Sequence, residues 1–398
     1  MLTYDGIPVW RHARVIQWAL QITSAILVVA LVTWFIINIG AAIEGRDIPF
    51  GFSFLSREYQ TPIGEHFIPY ESSDTFRYAL VVAVTNTLLV SVLGVILATL
   101  LGTAIGVARL SANWIVSKLA LAYVEFFRNV PLLVQLLFWL FLVLELPSVR
   151  EGYNLADTFY LNNGGISFPG PSGTGGVVIA LTWVALTLFG IVLAALAHRR
   201  LGRRELNTGR ASYPWLAGIT IAVAVAALAW VALSLIAGET PFVATSPAQQ
   251  AQFGRIEGGL TIRAGLLVLL TGLVMYTAAF IAEIVRAGLQ SVGRGQVEAA
   301  RALGLSPSAT LRNVTLPQAL RVIVPPLISQ YLNLTKNSSL GGAVGYTELT
   351  NVGITMTQTA PAISIFLLIM LAYLLMSLTY SAVGNLYNRH ISLGRATR

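Results

Sequence analysis

Cysteine is absent from this chain of 398 residues, which excludes disulfides, thiolate metal ligands and thiol chemistry. Lysine is nearly absent: Lys118 and Lys336 stand alone, and neither follows the glycine-rich turn of a phosphate loop. The nearest imitation, Gly170 to Gly176, carries Gly176 where the lysine must stand, and it reads as a flexible outer loop. Any ATP hydrolysis must therefore come from a partner chain. The four histidines, His12, His66, His198 and His390, are scattered through tails and loops, so no metal site is expected. Charge is scarce too: 11% of residues are charged against 56% hydrophobic, with a mean hydropathy of +0.73. Soluble domains carry about 25% charged residues, so this composition places the chain in a lipid bilayer.

What fills the chain is long apolar runs, each near the ~20 helical residues that cross a ~30 Å hydrocarbon core. About eight are present, near Val15 to Ile39, Tyr78 to Val107, Leu119 to Leu146, Val177 to Ala197, Tyr213 to Ile236, Leu260 to Ala282, Val322 to Gly342 and Ile363 to Leu386. A barrel would show ~10-residue alternating segments, so the expected class is an all-α membrane protein of about eight transmembrane helices. The first run is too long for a signal peptide and lacks a clear small-residue cleavage site.

Short cytoplasmic loops hold basic residues, which sets the expected orientation. Arg11 and Arg14 put the N-terminus inside. The inner connections then hold Arg109 and Lys118, then Arg199, Arg200, Arg203, Arg204 and Arg210, then Arg286, Arg294, Arg301, Arg312 and Arg321. Arg389, Arg395 and Arg398 close the inner tail, while Glu44, Asp47, Glu58, Glu65, Glu71, Asp74, Glu151 and Asp157 fall outside. Both termini are expected in the cytoplasm. This distribution also accounts for the net charge of +8 without a nucleic-acid partner.

One inner segment, Glu298 to Pro317, is polar and helix-forming between apolar runs. Gln296 to Leu303 favour a helix, and Ala299, Ala300 and Ala302 are small enough for close approach to another surface. Gly304 suits the position just past a helix C-terminus; Ser306 and Pro307 suit the start of a second helix, which Pro317 should interrupt. An amphipathic element of this kind serves either as a knob for a partner's groove or as an ordinary interfacial helix, and the residues alone fit both.

Glu298, Ala299, Ala300, Gly304, Val314, Leu316 and Pro317 resemble the signature loop of binding-protein-dependent ABC importer permeases. Ala282 to Gln296, Pro317 to Leu340 and Tyr123 to Gln135 are similar to the polar amino acid branch of that family. The resemblance implies a type I ABC importer permease core with extra helices, and a coupling role for Glu298, Ala299, Ala300, Gly304, Leu316 and Pro317 in a cleft of an ATPase subunit. The enlarged chain resembles one permease of the general L-amino acid importers of Gram-negative bacteria. That implies a second permease subunit as heterodimer partner, two cytoplasmic ATPase subunits using ATP and magnesium, and a periplasmic amino acid-binding protein. No cofactor is implied in this chain, and no covalent chemistry.

The expected segments are an N-terminal tail, first helix and outer loop (1–77), a first core part (78–146), an insert of outer loops and two helices (147–259), a second core part with the coupling loop (260–388) and an inner tail (389–398). Charged and amide groups inside membrane runs are costly, so they are candidates for the substrate path. Arg128 lies ten residues past Lys118, about 15 Å along a helix and near the midplane, with Glu125 placed to pair with it and Pro131 expected to kink the helix and free backbone groups. Lys336 lies about 22 Å past Arg321, with Asn333 and Asn337 on its face. Such groups match the carboxylate and ammonium of an amino acid, although pairing between helices or snorkelling explains them equally. Thr85 with Asn86, and Glu283 with Arg286, read as packing and a local ion pair. The alternative function is a secondary amino acid transporter driven by an ion gradient, for which Glu125 is the main candidate carboxylate. A membrane enzyme would need a cluster of His, Ser or Asp that the sequence does not offer.

Overall fold

The computed structural model describes residues 3–4, 7–8, 13–45, 49–172, 176–208, 212–238, 240–249 and 256–393. Two short strands, β1 (Thr3–Tyr4) and β2 (Ile7–Pro8), precede helix α1 (Ala13–Gly45). Then come α2 (Phe76–Ala108), α3 (Trp114–Asn129) and α4 (Leu132–Leu144), followed by β3 (Tyr153–Leu155), β4 (Phe159–Asn162), β5 (Gly165–Phe168) and β6 (Gly170–Ser172). A helical hairpin of α5 (Gly176–Thr208) and α6 (Pro214–Ala237) leads to β7 (Val243–Thr245), β8 (Ala248–Gln249), β9 (Ile256–Glu257) and β10 (Leu260–Arg263). The chain ends with α7 (Ala264–Gln290), α8 (Arg294–Ala302), α9 (Pro307–Thr310), α10 (Leu316–Asn337), α11 (Leu349–Met356) and α12 (Ala362–Leu393).

Among the described residues, α1, α2, α5, α6, α7 and α12 each contain a stretch long and apolar enough to cross a membrane. The expected run from Leu119 to Leu146 is not one rod: α3 and α4 are bent by 105° across Val130 and Pro131 and make at most one broken span. Proline fixes its own φ and disfavours helix in the residue before it, and Val130 is extended at ψ 130. The expected run from Val322 to Gly342 is α10 and then a 3-10 segment from Ser338 to Val344; with Pro325, Pro326 and Lys336 inside it, α10 falls short of the hydropathy of the other spans. The run expected from Leu260 begins as strand β10, and helix starts only at Ala264.

The connections add structure to a helical class. β10, β5, β4 and β3 form an antiparallel sheet in that order, with Ile262 opposite Ile166 and Ile166 opposite Leu161. Gly170 to Gly176, expected as a loop, begins as strand β6 paired to β7 and ends at the first residue of α5; residues 173–175 lie outside the described set.

Two compact units emerge. The first takes residues 1–91, 324–342 and 347–398. Its core joins the segment before α2, the first turns of α2, α11 and α12, through Phe54, Tyr59, Phe76, Val82, Leu349, Met356 and Ile365. Phe76 meets Phe54 edge to face at 5.4 Å and lies 4.9 Å from Tyr59. α1 takes no part in this core and is exposed along its apolar length.

The second unit takes residues 92–323 and 343–346, with α7 as its central helix. Lipid is as apolar as leucine, so helices in it hold together by close approach at small residues rather than by hiding from water. Gly102 and Gly106, four apart on α2, provide such a seam: a Cβ on the first would stand 2.7 Å from the Ala278 carbonyl, and on the second 2.6 Å from that of Ala282. Gly272 meets Leu136 and Gly288 meets Ile323 in the same manner. The phenol of Tyr123 donates to the Met275 carbonyl at 2.8 Å, tying α3 to α7. Gly102→Leu or Gly106→Leu should force this seam apart and lower thermal stability in detergent, by about 1–3 kcal/mol as in overpacked cores. Gly40→Leu, where a Cβ meets nothing within 4 Å, serves as the control and should leave it unchanged.

Candidate functional site

The polar segment after α7 folds as two helices meeting at a tip. α8 closes on Gly304, whose φ of +78° is a left-handed conformation that glycine adopts without strain. Gly304 N–H donates to the Arg301 carbonyl at 2.9 Å and Leu305 N–H to that of Ala300 at 3.1 Å, the two bonds of a Schellman turn. One residue later Ser306 caps the next helix, its Oγ accepting from Ala309 N–H at 3.3 Å with Pro307 in the first turn.

Pro317 does not interrupt this second helix, as expected, but lies inside the first turn of α10. A π turn over Leu311–Thr315, where Leu316 N–H reaches back to the Leu311 carbonyl, adjusts the backbone just before the proline and carries α9 into α10.

Glu298, Ala299, Gly304, Leu316 and Pro317 are exposed, whereas Ala300 is 3% exposed. Ala300 thus supports α8 from beneath, and Ala299 and Ala302 are the alanines free to meet another surface. Gln318 Nε2 donates to Gln296 Oε1 at 3.4 Å and links α10 to α8. Leu303 was missed in the sequence: it is 82% exposed at the tip, an apolar side chain on a polar element, and its place beside Gly304 was the available signal.

Behind α8, only Ser291 to Gly293 separate it from α7. The ion pair expected between Glu283 and Arg286 is present, but Glu283 also accepts from Arg109 at the end of α2. Arg286 Nε lies 3.2 Å from both Glu283 oxygens, and its Nη1 donates to Gln290 Oε1 at 2.5 Å. One carboxylate therefore bridges two guanidiniums and two helices at the base of the α8 element.

The candidates for a substrate path fare differently. Glu125 and Arg128 are exposed on α3 and form no ion pair with each other: Glu125 Oε2 accepts from Asn129 Nδ2 at 3.2 Å, and the Arg128 guanidinium stands 5.3 Å over the ring of Phe280. The backbone groups that Pro131 was expected to free are occupied, since Gln135 Nε2 donates to the carbonyls of Phe127 at 3.0 Å and Val130 at 2.9 Å. Lys118 and Arg128 both lie on α3, ahead of the 105° break, so their spacing along one helix stands. Asn333 and Lys336 are exposed and Asn337 half-buried on the last turns of α10.

Asn86 is packing, as expected, but it joins a helix to loops: its Nδ2 donates to the carbonyls of Glu65 at 2.7 Å and Thr347 at 2.8 Å. Among the described residues the buried carboxylate is Glu348, with no exposure, rather than Glu125. It caps α11 by accepting from Thr350 and Asn351 N–H, each at 2.8 Å, and receives the Tyr373 hydroxyl at 2.9 Å. Its place in a connection between apolar runs hid it. Arg11, His12, Asp47, Arg210, Arg395 and Arg398 lie outside the described residues.

Residues 190–393 match the family described as binding-protein-dependent transport system inner membrane component. Across nearly its whole length the chain is similar to an Escherichia coli protein named as a putative amino-acid ABC transporter permease, YhdX, at 38% identity over 98% of each chain. It is 39% identical to the general L-amino acid transport system permease AapQ of Rhizobium johnstonii, over 94% of this chain and 91% of that one. It is 40% identical to the glutamate/glutamine/aspartate/asparagine transport system permease BztB of Rhodobacter capsulatus, over 99% and 96%.

Removing one member of a shared, half-buried ion network leaves the others uncompensated. Glu283→Gln should therefore destabilise the protein more than Arg109→Gln, because it leaves two guanidiniums facing each other. The double variant should cost less than the sum of the two, by ~1 kcal/mol or more in a thermal-unfolding cycle. Strict additivity would mean that Arg109 and Glu283 do not act together.

Proposed function

This chain belongs to the family of binding-protein-dependent transport system inner membrane components, and from that premise we propose that the α8 hairpin is its joint with an ATPase. The chain is a multi-pass permease subunit of an ABC importer for amino acids. In our reading it pairs with a different permease chain, two cytoplasmic ATPase subunits and a periplasmic amino acid-binding protein, with both termini in the cytoplasm. ATP and magnesium are used by the ATPase chains, and this chain catalyses no reaction.

One observation carries the reading: α8 ends in a Schellman turn that presents Leu303 and Gly304 outward, while Ala300 anchors it from below. An end closed this way moves as a unit. Displacement of α8 passes through Ser291 to Gly293 into α7, and through Glu283 and Arg109 into α2, within one compact unit. ATP-driven closure of the ATPases would thereby tilt the core helices between outward-open and inward-open states. The names of AapQ and BztB support a broad amino acid range, and in our reading selection rests mainly in the external binding protein.

Arg128, with Glu125 on its helix, and Lys336, with Asn333 and Asn337, remain our candidates for transient contact with the substrate's charged groups. For Arg128 an arriving carboxylate must draw the guanidinium from Phe280, a contact of about 0.5–1 kcal/mol at an exposed site.

Glu298→Arg, Gly304→Arg and Leu303→Asp should each abolish ATP-dependent uptake in proteoliposomes, while the permease core remains assembled by size-exclusion chromatography. Uptake that continued without an ATPase chain and followed a proton or sodium gradient would refute the ABC reading in favour of a secondary transporter. Arg128→Ala should cut uptake at least roughly tenfold without releasing the ATPase if it contacts the substrate, as loss of a desolvated charge contact does. Loss of folding alone would mark it as structural.

A further inference from the structure

The inner end of α5 carries four arginines in six residues, Arg199, Arg200, Arg203 and Arg204, all exposed. None takes part in an ion pair among the described residues; the neighbouring carboxylate, Glu205, accepts from Ser212 Oγ at 3.3 Å. Arg199 with Arg203, and Arg200 with Arg204, are spaced i, i+4, where like charges repel on adjacent turns. This face is self-repelling unless anions occupy it. The contrast with Arg109 and Arg286, which share Glu283, is plain.

Two features fix the surroundings. α5 has 33 residues, about 50 Å of helix, so the part past its apolar run emerges at the edge of a ~30 Å hydrocarbon core. Beside it, Ser212 Oγ donates to the Leu201 carbonyl at 3.0 Å, which sets the start of α6 level with the arginines. Tyr213 and Trp215 follow, 60% and 58% exposed, the amphipathic rings that settle at headgroup depth. α5 and α6 pack on each other through Gly190 against Val225 and Trp183 Nε1 donating to the Ala226 carbonyl at 3.0 Å, and their other faces are open. The arginines therefore stand at phosphate level on a hairpin whose outer faces are apolar.

We propose that this arginine face is a binding site for the phosphate headgroup of anionic phospholipids, through which the α5–α6 hairpin anchors the permease in the bilayer. Guanidinium forks pair with phosphate oxygens in two-pronged hydrogen bonds, and four of them on one helical face can hold one or two headgroups. The bilayer leaflet need not be specified for this, since the aromatic belt and the end of the apolar run set the depth alone.

The test is native mass spectrometry of the purified full chain in micelles doped equally with phosphatidylglycerol and phosphatidylcholine. The wild type should retain phosphatidylglycerol several-fold over phosphatidylcholine, and the quadruple variant R199Q/R200Q/R203Q/R204Q should lose that preference by roughly tenfold or more. Because the chain has no cysteine, Thr208→Cys labelled from either side reports whether the hairpin keeps its orientation. If the quadruple variant reverses it, R200Q/R204Q replaces it and must still lower retention several-fold. Equal retention by wild type and variant, or no lipid preference in the wild type, overturns the proposal. So does displacement of the lipid by inorganic phosphate at equal concentration, which marks a free-anion site. Unchanged lipid retention with loss of co-purifying ATPase would instead make the face a dock for an acidic protein.

Discussion

A helix in lipid gains little by touching another helix, because hydrocarbon already solvates its side chains, and every backbone polar group must find a partner within the protein. Most of this structure follows from that constraint. The second compact unit holds α2 to α7 at Gly102 and Gly106, where no side chain could fit, and α7 to α4 and α10 at Gly272 and Gly288. Where the chain must break, polar side chains close the gap: Gln135 donates to the Phe127 and Val130 carbonyls at the turn between α3 and α4, and Glu348 caps α11. These side chains keep backbone groups satisfied, although Gln135 Oε1 itself is buried without a hydrogen-bond partner.

The same constraint stiffens the α8 element. A helix end that frays exposes four carbonyls, which water tolerates and a mechanical joint does not. The turn at Gly304 satisfies the carbonyls of Arg301 and Ala300, Ser306 starts the next helix at once, and the π turn before Pro317 lets α9 run into α10. At its other end α8 stands three residues from α7, and α7 is tied to α2 both by glycine contact and by Glu283. Force applied at Leu303 meets two stiff routes into the core, one through α10 and one through α7.

The helical class and the runs of α1, α2, α6 and α12 were legible because hydropathy over twenty residues is a strong, local signal. The Gly304 stop and the Ser306 and Pro307 start were legible because capping is local chemistry. The Gly102 and Gly106 pair is a sequence-visible spacing that gains meaning only from knowing which helix faces it. What was hidden needed three dimensions: Arg109 meets Glu283 across 174 positions, and Leu349 N–H reaches Thr87 across 262. The short strands β6 to β10 are too brief for alternation to register. Pro317 misled because a proline inside a helical pattern signals a break, and a π turn can absorb it instead.

An ion-gradient mechanism would need a carboxylate that can exchange a proton or bind a cation at depth. Glu125, the sequence candidate, is exposed on α3 and partnered by Asn129. Glu283 is already engaged by two guanidiniums, those of Arg109 and Arg286. Glu348 is the buried one, but its oxygens accept two backbone N–H groups and the Tyr373 hydroxyl, so a cation arriving there would displace the cap that starts α11. Among the described residues no carboxylate is both buried and free to cycle. In the reading proposed above, energy enters from a partner chain at the α8 tip, where Leu303 is exposed.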